Sequence, residues 1–423
     1  MSDILDNIQQ TTFEIAEISL ISSIGEPYDI KFITREVNIY EDIFSNTIKG
    51  DITIDDAQNL PQLYRLHGNE YIFIKFFTPY LYPFEKMFRV YKISDKMLKS
   101  MSSFSFKIHF CSEEFVLNQQ LRVSKSYKGM YIHDMIWDIL TNTLNVSSTK
   151  ANPADFVNTN TVRDIIIPNM KPFEAINWLA SMALDTDLNT GFLFYEDMFG
   201  YKFKPLSSMF EQDVYKSVQI FAKNTTTQSN YNILGVDRFE IPKSFDVLEG
   251  ISNGRYCSSM LKLDLLRQKV ESVSYDPITN DVKLLNEFLP FNDATNRFDE
   301  GLADNSSYIR YYPSTSDDMI DKAMLQRASE FSLLNNQKME IVMPGDSQTT
   351  VGDVLDVEFP NYTPFMDQSI IDVNQSGKYL VTAVRHKIAE NKYYNYAEIC
   401  KNSVIESIPS ASNSEAYNEA KKL

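Results

Sequence analysis

The most restrictive feature of this sequence is residues 337–402, where apolar and polar residues alternate between evenly spaced turns. Met339, Ile341 and Met343 alternate with polar neighbours until Pro344, Gly345 and Asp346 turn the chain. Val354, Leu355, Asp356, Val357, Glu358 and Phe359 follow with the same period of two. Tyr379 opens a longer run, a polar turn lies at 389–392, and residues 393–400 return. Successive side chains of a strand point to opposite faces, so this pattern predicts antiparallel strands with one buried face.

A similar module stands near the start. Gly68, Asn69, Tyr71, Ile72, Ile74 and Phe76 follow the order of Gly352, Asp353, Val354, Leu355, Val357 and Phe359. Residues 88–93 parallel the strand from Tyr379, and residues 104–111 parallel the return strand, so that Cys111 corresponds to Cys400. Hairpins resemble one another, so chance similarity stays open beside duplication. Either way the chain reads as two β units with other material between them.

That material changes period. Ile132, Met135, Ile136, Ile139, Leu140 and Leu144 recur at helical spacing. Pro172 starts a second helix with Phe173, Ile176, Leu179, Ala180 and Ala183 as its apolar stripe. Residues 192–195 and 201–204 flank a hairpin turn. Residues 29–33 and 48–54 read as strands, with Asp55 or Asp56 capping a helical turn after them. Asp317 and Asp318 cap a helix to Leu334 with Ile320, Ala323, Met324, Ala328 and Phe331 inward, against the second β unit.

Composition removes several functions. The net charge of −17 repels phosphate backbones and anionic membrane surfaces. Thirteen glycines leave little for glycine-rich phosphate loops. Three distant cysteines, Cys111, Cys257 and Cys400, form neither a disulfide framework nor a zinc site, and Cys111 and Cys400 read as core thiols. No signal peptide and no membrane-length apolar run is visible. The histidines, His67, His109, His133 and His386, lack metal-ligand spacing and read as ordinary turn, strand or helix residues. The acidic stretch 293–304 lacks the spacing and central glycine of a calcium loop. No nucleophile elbow or phosphate loop occurs. The expectation is no catalytic residue, cofactor or bound metal.

Residues 37–44, 47–60 and 66–70 resemble the N-terminal barrel of the central baseplate hub of large contractile-tailed phages. Residues 376–386 resemble the last barrel of the same family. The resemblance implies an α+β, mainly β fold. Two similar antiparallel β-barrels of tube type are expected at 12–115 and at 211–250 with 325–403. An α+β insertion domain would span 116–210. A second, irregular insertion with a connecting helix would span 251–324. An N-terminal arm (1–11) and a flexible C-terminal tail (404–423) complete the division.

The resemblance also implies a structural role in the virion tail baseplate, after assembly in the host cytoplasm. The expected state is a homotrimer forming a pseudo-hexameric ring between a sixfold tail tube and a threefold spike. The spike chain carries any lysozyme function, wedge proteins surround the ring, and DNA passes through without specific binding or stable membrane insertion. Candidate subunit or tube contacts are Tyr40, Glu41, Asp42, Ile52, Ile54, Val354, Val357 and Phe359. Two alternatives are the hub of a related injection or secretion machine and a tail-associated peptidoglycan hydrolase.

Overall fold

The computed structural model describes residues 13–22, 27–78, 83–100, 103–160, 162–220, 233–244, 246–255, 257–264, 268–275, 309–313, 318–335, 337–360, 372 and 375–401. The expected arm, the acidic stretch 293–304 and the expected tail lie outside them.

The first β unit holds β1 (Glu14–Ile21), β2 (Pro27–Asp29), β3 (Thr34–Asp42), β4 (Lys49–Asp56), β5 (Tyr71–Phe77), β6 (Phe84–Ser100) and β7 (Ser103–Cys111). They pair antiparallel in the order β3-β4-β7-β6-β5-β1-β2. The period of two sends Ile72, Ile74 and Phe76 inward, where Phe84, Phe88 and Phe110 join them. Gly50 sits in β4 because a Cβ there would overlap the Phe110 ring and the Asn38 carbonyl oxygen. Residues 29–33 do not form the expected strand. Asp29 Oδ1 accepts from Lys31 N at 2.8 Å, and a 3-10 turn forms at Lys31–Ile33. A local aspartate turn here overrides the alternation. The acid that starts the next helical turn, Leu60–Leu63, is Asp56, which accepts from Gln58 N and Leu60 N.

The insertion contains β8 (Val123–Tyr131), β9 (Ala151–Phe156), β10 (Val162–Met170), β11 (Leu193–Asp197) and β12 (Gly200–Lys204). The helix Ile132–Asp138 runs on as a π turn, Ile139–Thr143, and a further helix spans Pro172–Ala180. Both apolar stripes read from the sequence face one core. The β8·β10 ribbon is not visible in the sequence: β8 does not alternate, and β10, although Arg163, Ile165 and Ile167 are buried in alternation, carries apolar Val162 and Ile166 on its exposed side.

The second unit holds β13 (Val214–Ile220), β14 (Ile233–Val236) and β15 (Arg238–Lys243). A separate small sheet follows: β16 (Ser258–Asp264), β17 (Lys269–Tyr275) and β18 (Ile309–Pro313). The unit resumes with β19 (Lys338–Pro344), β20 (Val354–Glu358), β21 (Gly377–Ala389) and β22 (Lys392–Cys400). Its order is β15-β19-β22-β21-β20-β13-β14.

Strand for strand, this is the order of the first unit. The registers agree as well. Lys49, Cys111 and Arg89 stand opposite one another across β4, β7 and β6, as do Lys338, Cys400 and Leu380 across β19, β22 and β21. Both long strands break register one residue later, between Val90 and Lys92 and between Val381 and Ala383. Gly68 and Gly352 both adopt positive φ, +92° and +88°. One strand differs in sense: β1 is antiparallel to β5, whereas β13 is parallel to β20. Pairing among the described residues closes neither unit on itself.

The helix Asp318–Leu334 does not lie only on the second unit. Arg327 Nη1 donates to Phe192 O at 2.7 Å, Ser329 Oγ to Arg255 O at 2.9 Å, and Glu330 accepts from Thr190 at 2.7 Å. It therefore wedges between the insertion and the small sheet. Of its described side chains, Leu334 and Phe331 reach the second core. The predicted stripe missed Leu325, Ser329 and Glu330, all buried, because a helix packed on several sides has no single inward face.

Candidate assembly surface and the seam between the two β units

The two units form one continuous sheet through β21 and β3, antiparallel, from Ala383 opposite Asp42 to Ala389 opposite Glu36. Alternation gives this seam two faces. On one, Val37, Ile39, Val384 and Ile388 are buried, and Ile388 and Tyr393 of the second unit complete the core of the first. On the other, Glu36, Asn38 and Tyr40 meet Arg385 and Lys387. Arg385 Nη2 donates to Asn38 Oδ1 at 2.8 Å, and its guanidinium lies 5.6 Å from the Tyr40 and Tyr396 ring centres. Lys387 Nζ is 3.5 Å from Glu36 Oε1. Partly exposed pairs such as Lys387–Glu36 add little stability individually but fix register, whereas Asn38 is itself buried.

The dry face carries one charged group. Glu41 is fully buried, with Oε1 3.4 Å from His386 Nε2 and Oε2 accepting from the Thr350 hydroxyl. The His386 contact is too long for a well-aligned hydrogen bond and is an ion pair only when the imidazole is protonated. Burial alone would raise the Glu41 carboxyl, but His386, Thr350 and Lys86 together hold it below its usual range. Its contribution to stability is therefore present above the ordinary glutamate range and is lost as pH falls through the lower folded value.

A hydrogen-bonded chain extends from this pair. Tyr393 Oη donates to Asp346 O at 2.9 Å and lies 2.7 Å from His386 Nδ1. The tyrosine proton is used on the carbonyl, so Nδ1 carries the proton in the second bond. Asp346 in turn takes Lys216 Nζ at 2.5 Å and Tyr215 Oη at 3.0 Å. Burial would raise its carboxyl, but Lys216 brings it down.

The insertion is tied into the same region. Glu196 Oε2 accepts from Ile48 N at 3.0 Å and Ser112 Oγ at 2.5 Å, and Lys86 Nζ donates to Asp197 O at 2.6 Å. Buried polar groups held by several partners specify one arrangement of the units.

The eight candidate contacts fall in different places. Ile52 and Ile54 lie in the first core, and Val354, Val357 and Phe359 in the second. Glu41 is spent in the seam. These six side chains are buried within the chain itself. Their strands β3, β4 and β20 each have neighbours on both sides, so they offer no free backbone edge either. Alternation marks which residues share a face, not which face the fold covers. Tyr40, 38% exposed, and Asp42, half-buried, remain at the surface.

His386 was read as an ordinary strand residue; its role needs Glu41, which is remote in sequence, so no local signal marks it. Cys111 and Cys400 are buried core thiols. Among the described residues, no group of three or more His, Cys, Asp or Glu is placed to hold a metal ion. Among them, too, no helix is long and apolar enough to cross a membrane.

Comparison with known proteins agrees with this architecture. The chain is 21% identical over 391 residues to the Probable baseplate hub protein gp334 of Vibrio phage KVP40, covering 87% of this chain and 90% of that protein. The fold is similar to the 43 kDa tail protein of prophage MuSo2 from Shewanella oneidensis, with a TM-score of 0.53 and 11% identity over 92% of this chain and 99% of that one. It is similar also to a tail protein from Neisseria meningitidis MC58, with a TM-score of 0.51 and 13% identity over 92% and 97%. No family model matches the chain. The three are described as hub or tail proteins, none as an enzyme.

Proposed function

We propose that this chain, a relative of phage baseplate hub proteins, is the structural hub of a contractile-tail baseplate and has no enzymatic role. Three copies form a ring of six alike β units that joins a sixfold tail tube to a threefold spike. The observation that carries this reading is the repeated strand order of two units fused side by side in one sheet. Two like units per chain let a threefold assembly present six similar surfaces. Wedge proteins surround the ring, and DNA passes through its channel. The net charge of −17 suits such a conduit, because a basic wall would hold the DNA.

The test is electron microscopy of tails from particles carrying an epitope-tagged copy of this chain. Antibody label is expected at the distal end, where tube meets spike. Label along the sheath, at the head, or absent from the particle would refute the reading.

A further inference from the structure

We infer that the free edge of β6 in one copy pairs antiparallel with the free edge of β15 in the next, Leu98 opposite Phe239, repeating between chains the seam that β21 and β3 make within one. The inference rests on the ring reading above and names the edges that close it.

By strand order and register, β6 is the counterpart of β21, and β15 the counterpart of β3. Within the chain β21 is bonded to β3, yet among the described residues neither counterpart has such a partner. β5 covers one edge of β6 only from Phe84 to Arg89; beyond that, no described strand pairs with it there. Among the described residues β15 pairs with β19 alone.

Counting back from Cys111 and Cys400 makes the transfer specific. Leu98 stands opposite Phe104, as Ile388 stands opposite Tyr393. Phe239 stands opposite Ile341, as Val37 stands opposite Ile52. In the seam Ile388 faces Val37, so the same register sets Leu98 against Phe239 and Met97 against Glu240. Ile388 and Val37 are 5% and 1% exposed, whereas Leu98 and Phe239 are 63% and 37% exposed. Leu98 thus stands open, and Phe239, whose ring packs edge-on against Phe359, still shows apolar surface, at the two positions that the internal seam buries.

The irregularities match too. β6 has two residues between Ser94 and Met97 where β21 has only His386 between Arg385 and Lys387. β15 likewise has two between Glu240 and Lys243 where β3 has only Ile39 between Asn38 and Tyr40. One extra residue on each side of the same level leaves the register intact beyond it, with Ser94 opposite Lys243.

Edge lysines often ward off pairing. Here Lys99 is folded back onto Asp55 at 2.7 Å, and Lys96 toward Asn59 at 3.4 Å, so neither guards the edge. Because the two edges differ, the contact is head-to-tail, and such contacts close into a ring when their rotation allows.

The experiment mixes two full-length proteins in a Cys257→Ser background, one carrying Leu98→Cys and the other Phe239→Cys. Directly opposed strand residues lie within disulfide reach. Mild oxidation of the mixture is expected to give a covalent dimer that neither protein gives alone. A second variant, Leu98→Asp, is expected to keep its circular dichroism spectrum and weaken self-association by about tenfold or more. A ring by light scattering with no mixed disulfide and an unaffected Leu98→Asp variant would overturn this edge assignment while leaving the ring standing. A chain that stays monomeric at the highest attainable concentration would overturn both.

Discussion

Glu41→Ala is expected to destabilise the joined β units by about 3–5 kcal/mol, the largest effect of any single substitution at the seam. Removing the carboxylate leaves the His386 imidazole buried without the group it faces and strips the Thr350 hydroxyl of its acceptor. Both sit on the dry face, where water cannot substitute. Glu41→Gln keeps volume and a hydrogen-bond acceptor, so a smaller loss is expected. Urea denaturation followed by tyrosine fluorescence measures both. A loss below about 1 kcal/mol for Glu41→Ala, the range of an exposed ion pair, would show that the pair does not hold the units together.

Glu330→Gln is expected to do the opposite in alkaline solution. Burial between the helix Asp318–Leu334 and the insertion pushes this carboxyl up to about 7, even though Thr190 and Gln326 donate to it. A folded value above the ordinary glutamate range means the protonated form favours folding. That stability is present below the usual glutamate value and disappears as pH rises through about 7. The shift corresponds to roughly 3 kcal/mol between the two limits. Asp353, pushed up to about 7, and Asp197, pushed up to about 6, both by burial, act in the same direction. Wild-type denaturation midpoints should therefore fall from pH 5.5 to pH 8.5, and those of Glu330→Gln should fall distinctly less. Parallel curves would contradict the buried, titrating carboxyl.

What the sequence disclosed and what it hid divide along one physical line. Period-two alternation depends on each strand alone, so β5, β19, β20 and β22 were legible to within a few residues. The correspondence of Gly68 with Gly352 was legible from their place ahead of matching strands, and both adopt positive φ. Strand β17 and the β8·β10 ribbon were not, because apolar and polar residues do not sort cleanly between their two faces. Which of the candidate contact residues lie inside was hidden for a related reason. Ile52 and Phe359 looked like surface candidates by analogy with a family, but the face they point to is closed by their own chain. Leu98 and Phe239 are apolar residues in strands like many others; only the three-dimensional correspondence with Ile388 and Val37 sets them apart. The opposite sense of β1 and β13 likewise left no trace in composition or period.

The central claim is that two like β units per chain serve to build a closed ring. The mass of the purified assembly by multi-angle light scattering, with class averages of the same sample by electron microscopy, tests it most directly. The expected result is three times the chain mass of 48.8 kDa and a ring of six similar lobes around an open channel. A strict monomer, both alone and with its tail partners, or a closed particle with no channel, would contradict it.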